Sequence, residues 1–280
     1  MKTALNAWSV SSDASFEETF AAVKDAGFDG IELNLDAEGK SAHSLYVGMA
    51  DSEIERIAEL SQKYSLPVIS VSSSLGWKHH IGVKADHDVA RRNFEAQLIF
   101  AAKLGAKGIL TLPDGVNENG SYLRAYETSL EFYESERAFI NDCNLTVGLE
   151  NVWNGFFTSA WDMVKFIRDC DNPLIKAYFD AGNVFAFSRP EDWIEILGDR
   201  IGFVHVKGFL RNKGLNSGGS FCPILDGGIN WQSVMKRLSE AGFDYYVTAE
   251  VGKSGKYTQC SYEEFYKGTQ NELRTLISYT

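Results

Sequence analysis

The chain has 280 residues, 44% of them hydrophobic and 23% charged, which is enough apolar material for one large globular core. Its 27 basic and 38 acidic side chains give a formal net charge of −11, which argues against a nucleic-acid backbone or an anionic membrane as partner. The start lacks the basic and apolar segments of a signal peptide, and no apolar run approaches the ~20 residues of a bilayer span. Cys143, Cys170, Cys222 and Cys260 are scattered without a Cys-x-x-Cys pair, as expected of thiols in a reducing cytoplasm.

Short β-prone runs alternate with amphipathic stretches along the chain. The first strand is expected near 3–8 and ends on Trp8, an aromatic suited either to cap the core or to stack on a sugar face. Phe16, Phe20 and Val23 then share one helical face. The second strand, 29–34, carries Glu32, whose simplest reading is a solvated acid and whose alternative is a supporting contact to a ligand group. The third, 67–72, leads into a long segment 73–87 in which His80 is a candidate for the mouth of the fold, whereas His79 and His43 are expected at the surface. Further strands are expected at 107–112, 145–150, 175–180, 201–206 and 245–250. Trp231, Val234, Met235 and Leu238 keep helical spacing before the eighth, and Tyr262, Phe265, Leu273 and Leu276 line a last helix.

Ala26-Gly27-Phe28-Asp29, Leu104-Gly105-Ala106-Lys107 and Ala241-Gly242-Phe243-Asp244 each end a helix before a strand, with glycine at the left-handed position. Three such joints and no Pro/Gly/Ser linker predict a single (β/α)8 barrel over residues 1–280. A doubly wound open sheet would carry Gly-x-Gly-x-x-Gly after the first strand, and none is present. Segments 73–87, 207–229 and 251–260 follow strands three, seven and eight, on the side where barrels build active sites. The longest, with six glycines, reads as a mobile lid or a flexible surface loop.

Four strands end in a ligand-type residue: Val147-Gly148-Leu149-Glu150, Ala177-Tyr178-Phe179-Asp180, Phe203-Val204-His205 and Val247-Thr248-Ala249-Glu250. Parallel strands bring these ends to one rim. A divalent cation there would relieve the cost of clustering three carboxylates. The mainly oxygen donor set favours manganese, with magnesium, cobalt or zinc allowed. Lys207 shares the inward face of His205 and is a candidate substrate contact. Lys213, Lys253 and Lys256 lie in loops where barrels often hold phosphate, so an anion is expected near Lys207, Arg211 or Lys253.

Glu150-Asn151-Val152-Trp153-Asn154, Phe179-Asp180-Ala181-Gly182-Asn183, His205-Val206-Lys207-Gly208 and Ala249-Glu250 resemble the xylose-isomerase-like barrel superfamily. More narrowly they are similar to its sugar and sugar-phosphate isomerases and epimerases, including the ketose 3-epimerases. Ser74-Leu75-Gly76-Trp77 and Asp226-Gly227-Gly228-Ile229-Asn230-Trp231 extend the likeness over nearly the whole chain. The resemblance implies that Glu150, Asp180, His205 and Glu250 bind one metal ion and that the two glutamates form an acid/base pair. It further implies that Asn183, where several relatives have histidine, and Arg211 contact the substrate.

The implied activity is metal-dependent isomerisation or epimerisation of a small sugar or sugar phosphate, with 3-epimerisation of a ketose favoured. A homo-oligomer is allowed. An inosose-type dehydratase could use the same metal site. An apurinic-site endonuclease on this barrel would need three metals and more histidines than the five present; Asn183 replaces one expected ligand, and Ser72 and Pro113 occupy other strand ends. A silent sugar-binding protein should have lost one of the two glutamates.

Overall fold

Alternation of β-prone and amphipathic segments produces eight parallel strands rolled into a closed barrel, seen in a computed structural model that describes residues 1–113 and 120–280. The strands are β1 (Lys2–Asn6), β2 (Gly30–Asp36), β3 (Val68–Ser73), β4 (Gly108–Thr111), β5 (Thr146–Glu150), β6 (Ile175–Asp180), β7 (Ile201–Val206) and β8 (Tyr246–Ala249). Strand β1 pairs with β2 on one side and with β8 on the other, which closes the cylinder. All eight expected strands are present, with ends shifted by at most about two residues, the usual uncertainty of such boundaries.

Among the described residues, ten helices surround the barrel: α1 (Phe16–Asp25), α2 (Asp51–Lys63), α3 (His87–Lys103), α4 (Tyr122–Ser135), α5 (Arg137–Cys143), α6 (Ala160–Asp169), α7 (Ala181–Phe185), α8 (Pro190–Leu197), α9 (Trp231–Glu240) and α10 (Tyr262–Ile277). Capping boxes start α1, α6 and α10, where Ser15, Ser159 and Ser261 exchange hydrogen bonds with Glu18, Asp162 and Glu264. The glycine joints take the left-handed conformation expected of them, with φ of +92° at Gly27, +71° at Gly105 and +81° at Gly242.

The main core lies between sheet and helices, where Phe20, Leu33, Leu98, Phe166, Val234 and Leu273 are buried. Burying each such side chain contributes ~1.5–3 kcal/mol. Two smaller apolar clusters are separate from it: Ala4, Ile69 and Tyr246, and Leu110, Leu112, Tyr178 and Phe203. Gly148 makes room for one of these rings, since a Cβ there would stand 2.8 Å from Tyr178.

Three features depart from the expected pattern. Trp8 leaves the sheet in a short 3-10 turn, Ala7–Ser9, whose start is capped by the Asn6 side chain accepting from the Trp8 N–H at 2.8 Å. A two-residue strand, Leu45–Tyr46, extends the sheet beside β2. The glycine-rich segment after β7 is an antiparallel hairpin, Gly208–Arg211 against Gly219–Cys222. Glycine permits its tight spacing: a Cβ on Gly208 would lie 2.1 Å from the Pro223 carbonyl oxygen.

Candidate metal centre

Strands β5, β6 and β7 deliver Glu150, Asp180 and His205 to the rim at their C-terminal ends, and Glu250 follows β8 by one residue. One ligand atom from each of the four lies within 4.8 Å of the others. Glu150, Asp180 and His205 are buried, and Glu250 is half-buried. His205 Nδ1 faces Glu150 Oε1 at 3.4 Å and Glu250 Oε2 at 3.7 Å. The Asp180 carboxylate starts α7 by accepting the Asn183 N–H at 2.7 Å. Asn151 brackets its backbone, donating to the Asp180 carbonyl and accepting its N–H, both at 2.9 Å.

Lys207 enters this cluster from beyond β7. Its ammonium pairs with Glu250 and lies 3.0 Å from Asp180 Oδ2, an ion pair without hydrogen-bond geometry. The lysine stem runs over Gly182, where a Cβ would come within 2.3 Å of Lys207 Cγ. Burial pushes the Glu150 carboxyl up to about 7; its hydrogen bond to His205 opposes the rise and the Glu250 charge adds to it. Burial likewise raises Asp180, against the pull of Lys207. Burial works against a charged His205 and a charged Lys207, but the surrounding carboxylates outweigh it and raise both. Three carboxylates, two of which (Glu150 and Asp180) burial resists charging, together with one imidazole, form a donor set that fits a hard or borderline divalent cation. The buried Asp180 Oδ2, which no hydrogen bond satisfies, fits the same reading.

Two adjoining cavities of about 230 Å³ each open above the cluster, and Trp8, Lys207, Phe221 and Glu250 line both. One of them also exposes Trp77, Glu150, Trp153 and Asn183. Trp8 is fixed by its indole N–H, 3.2 Å from Asp36 Oδ2. Trp153 donates to the Asn183 carbonyl at 2.8 Å and stacks on Phe221 with centroids 4.9 Å apart. A larger cavity of about 640 Å³ lies behind this aromatic wall, against Phe157, Phe187 and Phe209.

Glu150, Asp180, His205, Glu250, Asn183, Lys207 and Trp8 are thus brought together. Two expected contacts are not. Arg211 turns away within the hairpin: its guanidinium donates to the Phe185 and Ser188 carbonyls, at 2.5 and 2.7 Å, and stacks on the Phe185 ring. The resemblance implied a substrate contact for Arg211, but the chain reverses in the hairpin at this residue and carries its side chain to the other side. His80 lines neither mouth cavity; its backbone N–H donates to Asp86.

The lysines expected near an anion have partners within the chain. Lys207 is held by carboxylates, Lys253 lies over the Tyr262 ring, and Lys256 pairs with Asp226 and Glu272. His43 is buried rather than superficial, with its two ring nitrogens on the Ala14 and Ala7 carbonyls. Glu32 is not solvated: it is fully buried directly behind His205. Trp77 and Trp153 line the mouth and were not singled out as contacts by their sequence, although Trp153 stands three residues beyond the end of β5 and Trp77 four residues beyond the end of β3.

A family model described as xylose isomerase-like TIM barrel matches residues 20–275. An uncharacterized protein of Methanocaldococcus jannaschii is 27% identical over 113 residues, and that match covers 39% of this chain and 38% of the relative's length. Among solved structures, an L-ribulose 3-epimerase superposes with a TM-score of 0.77 at 20% identity, covering 99% of this chain and 94% of the other. A D-psicose 3-epimerase crystallised in the presence of D-fructose gives 0.78 at 17% identity, covering 99% of each. The IolI protein with a binding zinc atom gives 0.80 at 13% identity, covering 99% and 98%.

Proposed function

We propose, for a chain that belongs to the xylose isomerase-like TIM-barrel family, that it is a divalent-metal-dependent epimerase inverting a carbon beside the carbonyl of a ketose. The observation that carries this reading is the convergence of Glu150, Asp180, His205 and Glu250 within 4.8 Å at the floor of a cavity walled by tryptophans. The similarity to ketose 3-epimerases supports the choice of substrate class.

These four side chains would hold one cation, manganese being the metal the donor set favours. Such a cation supplies a Lewis acid that polarises the carbonyl and offsets charge on the neighbouring oxygens. The remaining chemistry belongs to the chain. One of Glu150 and Glu250, which end strands three steps apart around the barrel, removes the proton beside the carbonyl. The other returns a proton to the opposite face of the resulting enediolate. Asn183 offers its amide to a substrate hydroxyl, and Lys207 offers a cation to the developing oxyanion. Trp8 gives the apolar face of the sugar a flat surface to stack on and excludes water from it.

Elemental analysis of protein purified without chelator should find about one divalent ion per chain, and three would instead favour the endonuclease chemistry. Glu150→Gln or Glu250→Gln should each lower turnover of an accepted ketose by ~10²–10⁴-fold, with metal content measured on the same samples. In deuterated water the inverted carbon should acquire solvent deuterium. Product without deuterium would favour proton shuttling by a single shielded base, and release of a dehydrated product would favour the lyase.

A further inference from the structure

Beneath the ligand rim a chain of polar side chains crosses the barrel interior, and Glu32 on β2 is its centre. Its carboxylate accepts hydrogen bonds from Asn6 on β1, from Ser70 on β3 at 2.6 Å and from Tyr178 on β6. His205 Nε2 on β7 meets Oε1 at 3.0 Å. Asn6, Glu32, Ser70, Tyr178 and His205 are each 0% exposed. Barrel interiors are ordinarily filled by branched apolar side chains, and a buried carboxylate persists only if donors satisfy it. Here donors on four strands do so.

Both Glu32 oxygens are engaged in this way, and Glu32 is not part of the four-residue ligand group. What it touches is the far edge of one member of that group. The opposite edge of the His205 ring, Nδ1, faces Glu150 and Glu250. A neutral imidazole has one nitrogen that donates and one that accepts, so it can offer a lone pair to a cation from one edge only if the other edge keeps the proton. A carboxylate against Nε2 keeps the proton there.

We propose that Glu32 is the positioning residue of the metal centre: it holds His205 as the Nε2–H tautomer and fixes the ring so that Nδ1 is the coordinating nitrogen. Asn6, Ser70 and Tyr178 act one step further back by holding Glu32. The Tyr178 ring adds a steric restraint, with its centroid 4.5 Å from that of His205 at an interplanar angle of 57°. This inference rests on the metal-centre reading above, and it makes the otherwise unexplained polar interior part of the same device.

The tautomer is read directly on wild-type protein loaded with zinc, by long-range ¹H–¹⁵N correlation of the histidine rings. The expected His205 pattern has a protonated Nε2 and a metal-shifted Nδ1; a metal-shifted or unprotonated Nε2 overturns the proposal. Calorimetric titration with zinc and manganese then measures affinity in two variants. Glu32→Gln should bind about 10–100-fold more weakly. Tyr178→Phe, which removes one donor to Glu32 but leaves the Glu32–His205 contact, should lose much less. Wild-type affinity in Glu32→Gln overturns the proposal, as does an equal loss in both variants, since that would show general loosening of the interior. If Glu32→Gln does not fold, the wild-type spectrum still decides. Failure of the wild type to bind either metal overturns the metal-centre reading as well, whereas failure confined to the spectrum or the variants leaves that reading standing.

Discussion

At Asp36 a single carboxylate gathers three loops. It accepts from the Trp8 indole, from Lys40 at 2.9 Å, from Ser44 at 2.8 Å and from Ser74. Burial would raise this carboxyl, but those donors outweigh it and hold its pKa below the usual 3.8. A depressed acid contributes stability that is present above its unfolded value and is lost as pH falls through the folded one. Asp36→Asn should therefore lower the Tm at neutral pH, and the gap to wild type should close as the pH drops through 3.8 and below. A gap that stays constant across the acid range in thermal melts would contradict this account. Gly182→Ala probes a second residue: its Cβ would collide with the Lys207 stem and, at 2.7 Å, with the Lys207 carbonyl oxygen. Overpacking of this kind typically costs ~1–3 kcal/mol, visible as a fall in the urea midpoint. Residues of the site were legible in proportion to how simply strand geometry places them. Glu150, Asp180 and His205 stand where apolar runs end, so parallel pairing alone brings them to one rim. Glu32 was legible only as the lesser of two readings, a supporting contact behind the simpler solvated acid, because Gly30-Ile31-Glu32-Leu33-Asn34 alternates like a strand with one wet face. Only closure of the sheet makes that face an interior.

Among the elements, the hairpin after β7 differs most from what its sequence suggested. Six glycines between Lys207 and Ile229 indicate freedom, and the fold uses that freedom for close approach between Gly208–Arg211 and Gly219–Cys222. Neither hairpin strand has a long alternating pattern, so the segment reads as loop. What anchors it is aromatic: Phe221 stacks on Trp153 and meets Phe209 edge-on at 5.3 Å, joining the seventh loop to the fifth. Phe221→Ala should speed amide hydrogen exchange across 208–222 and raise KM for the accepted sugar, while manganese affinity stays at the wild-type value. Exchange as slow as in wild type would show that the hairpin holds without this contact. Arg211 follows from the same geometry: once the chain reverses, an arginine counted forward from His205 faces the α7–α8 connection instead of the mouth.

For the whole molecule, the alternation of segments was sufficient to indicate a barrel, and the paired edges of β1 confirm the closure. The division of the interior into apolar clusters and a polar network was not visible in the sequence, because a strand buried on both faces does not record which face is inside. Joining four strands through one cation ought to couple site occupancy to global stability. A ligand that binds only the folded chain adds about 2.7 kcal/mol at a hundred times its Kd. The Tm should therefore climb with added manganese in the wild type and much less in Asp180→Asn, measured by calorimetry; equal shifts would place the metal elsewhere.

The pairing of β1 with both β2 and β8 also bears on how the chain is made. β1 and β2 emerge first from a ribosome and can pair at once, but the other edge of β1 must wait for Tyr246–Ala249, the last strand synthesised. Until then the growing sheet has two open edges, on β1 and on β7, of the kind that invite pairing with a stranger. Glu250 leaves the ribosome directly behind the strand that seals them. A nascent chain cannot present the full ligand set before β8 has been made and laid against β7, so acquiring the cation would mark a chain whose eighth strand is in place and ready to meet β1.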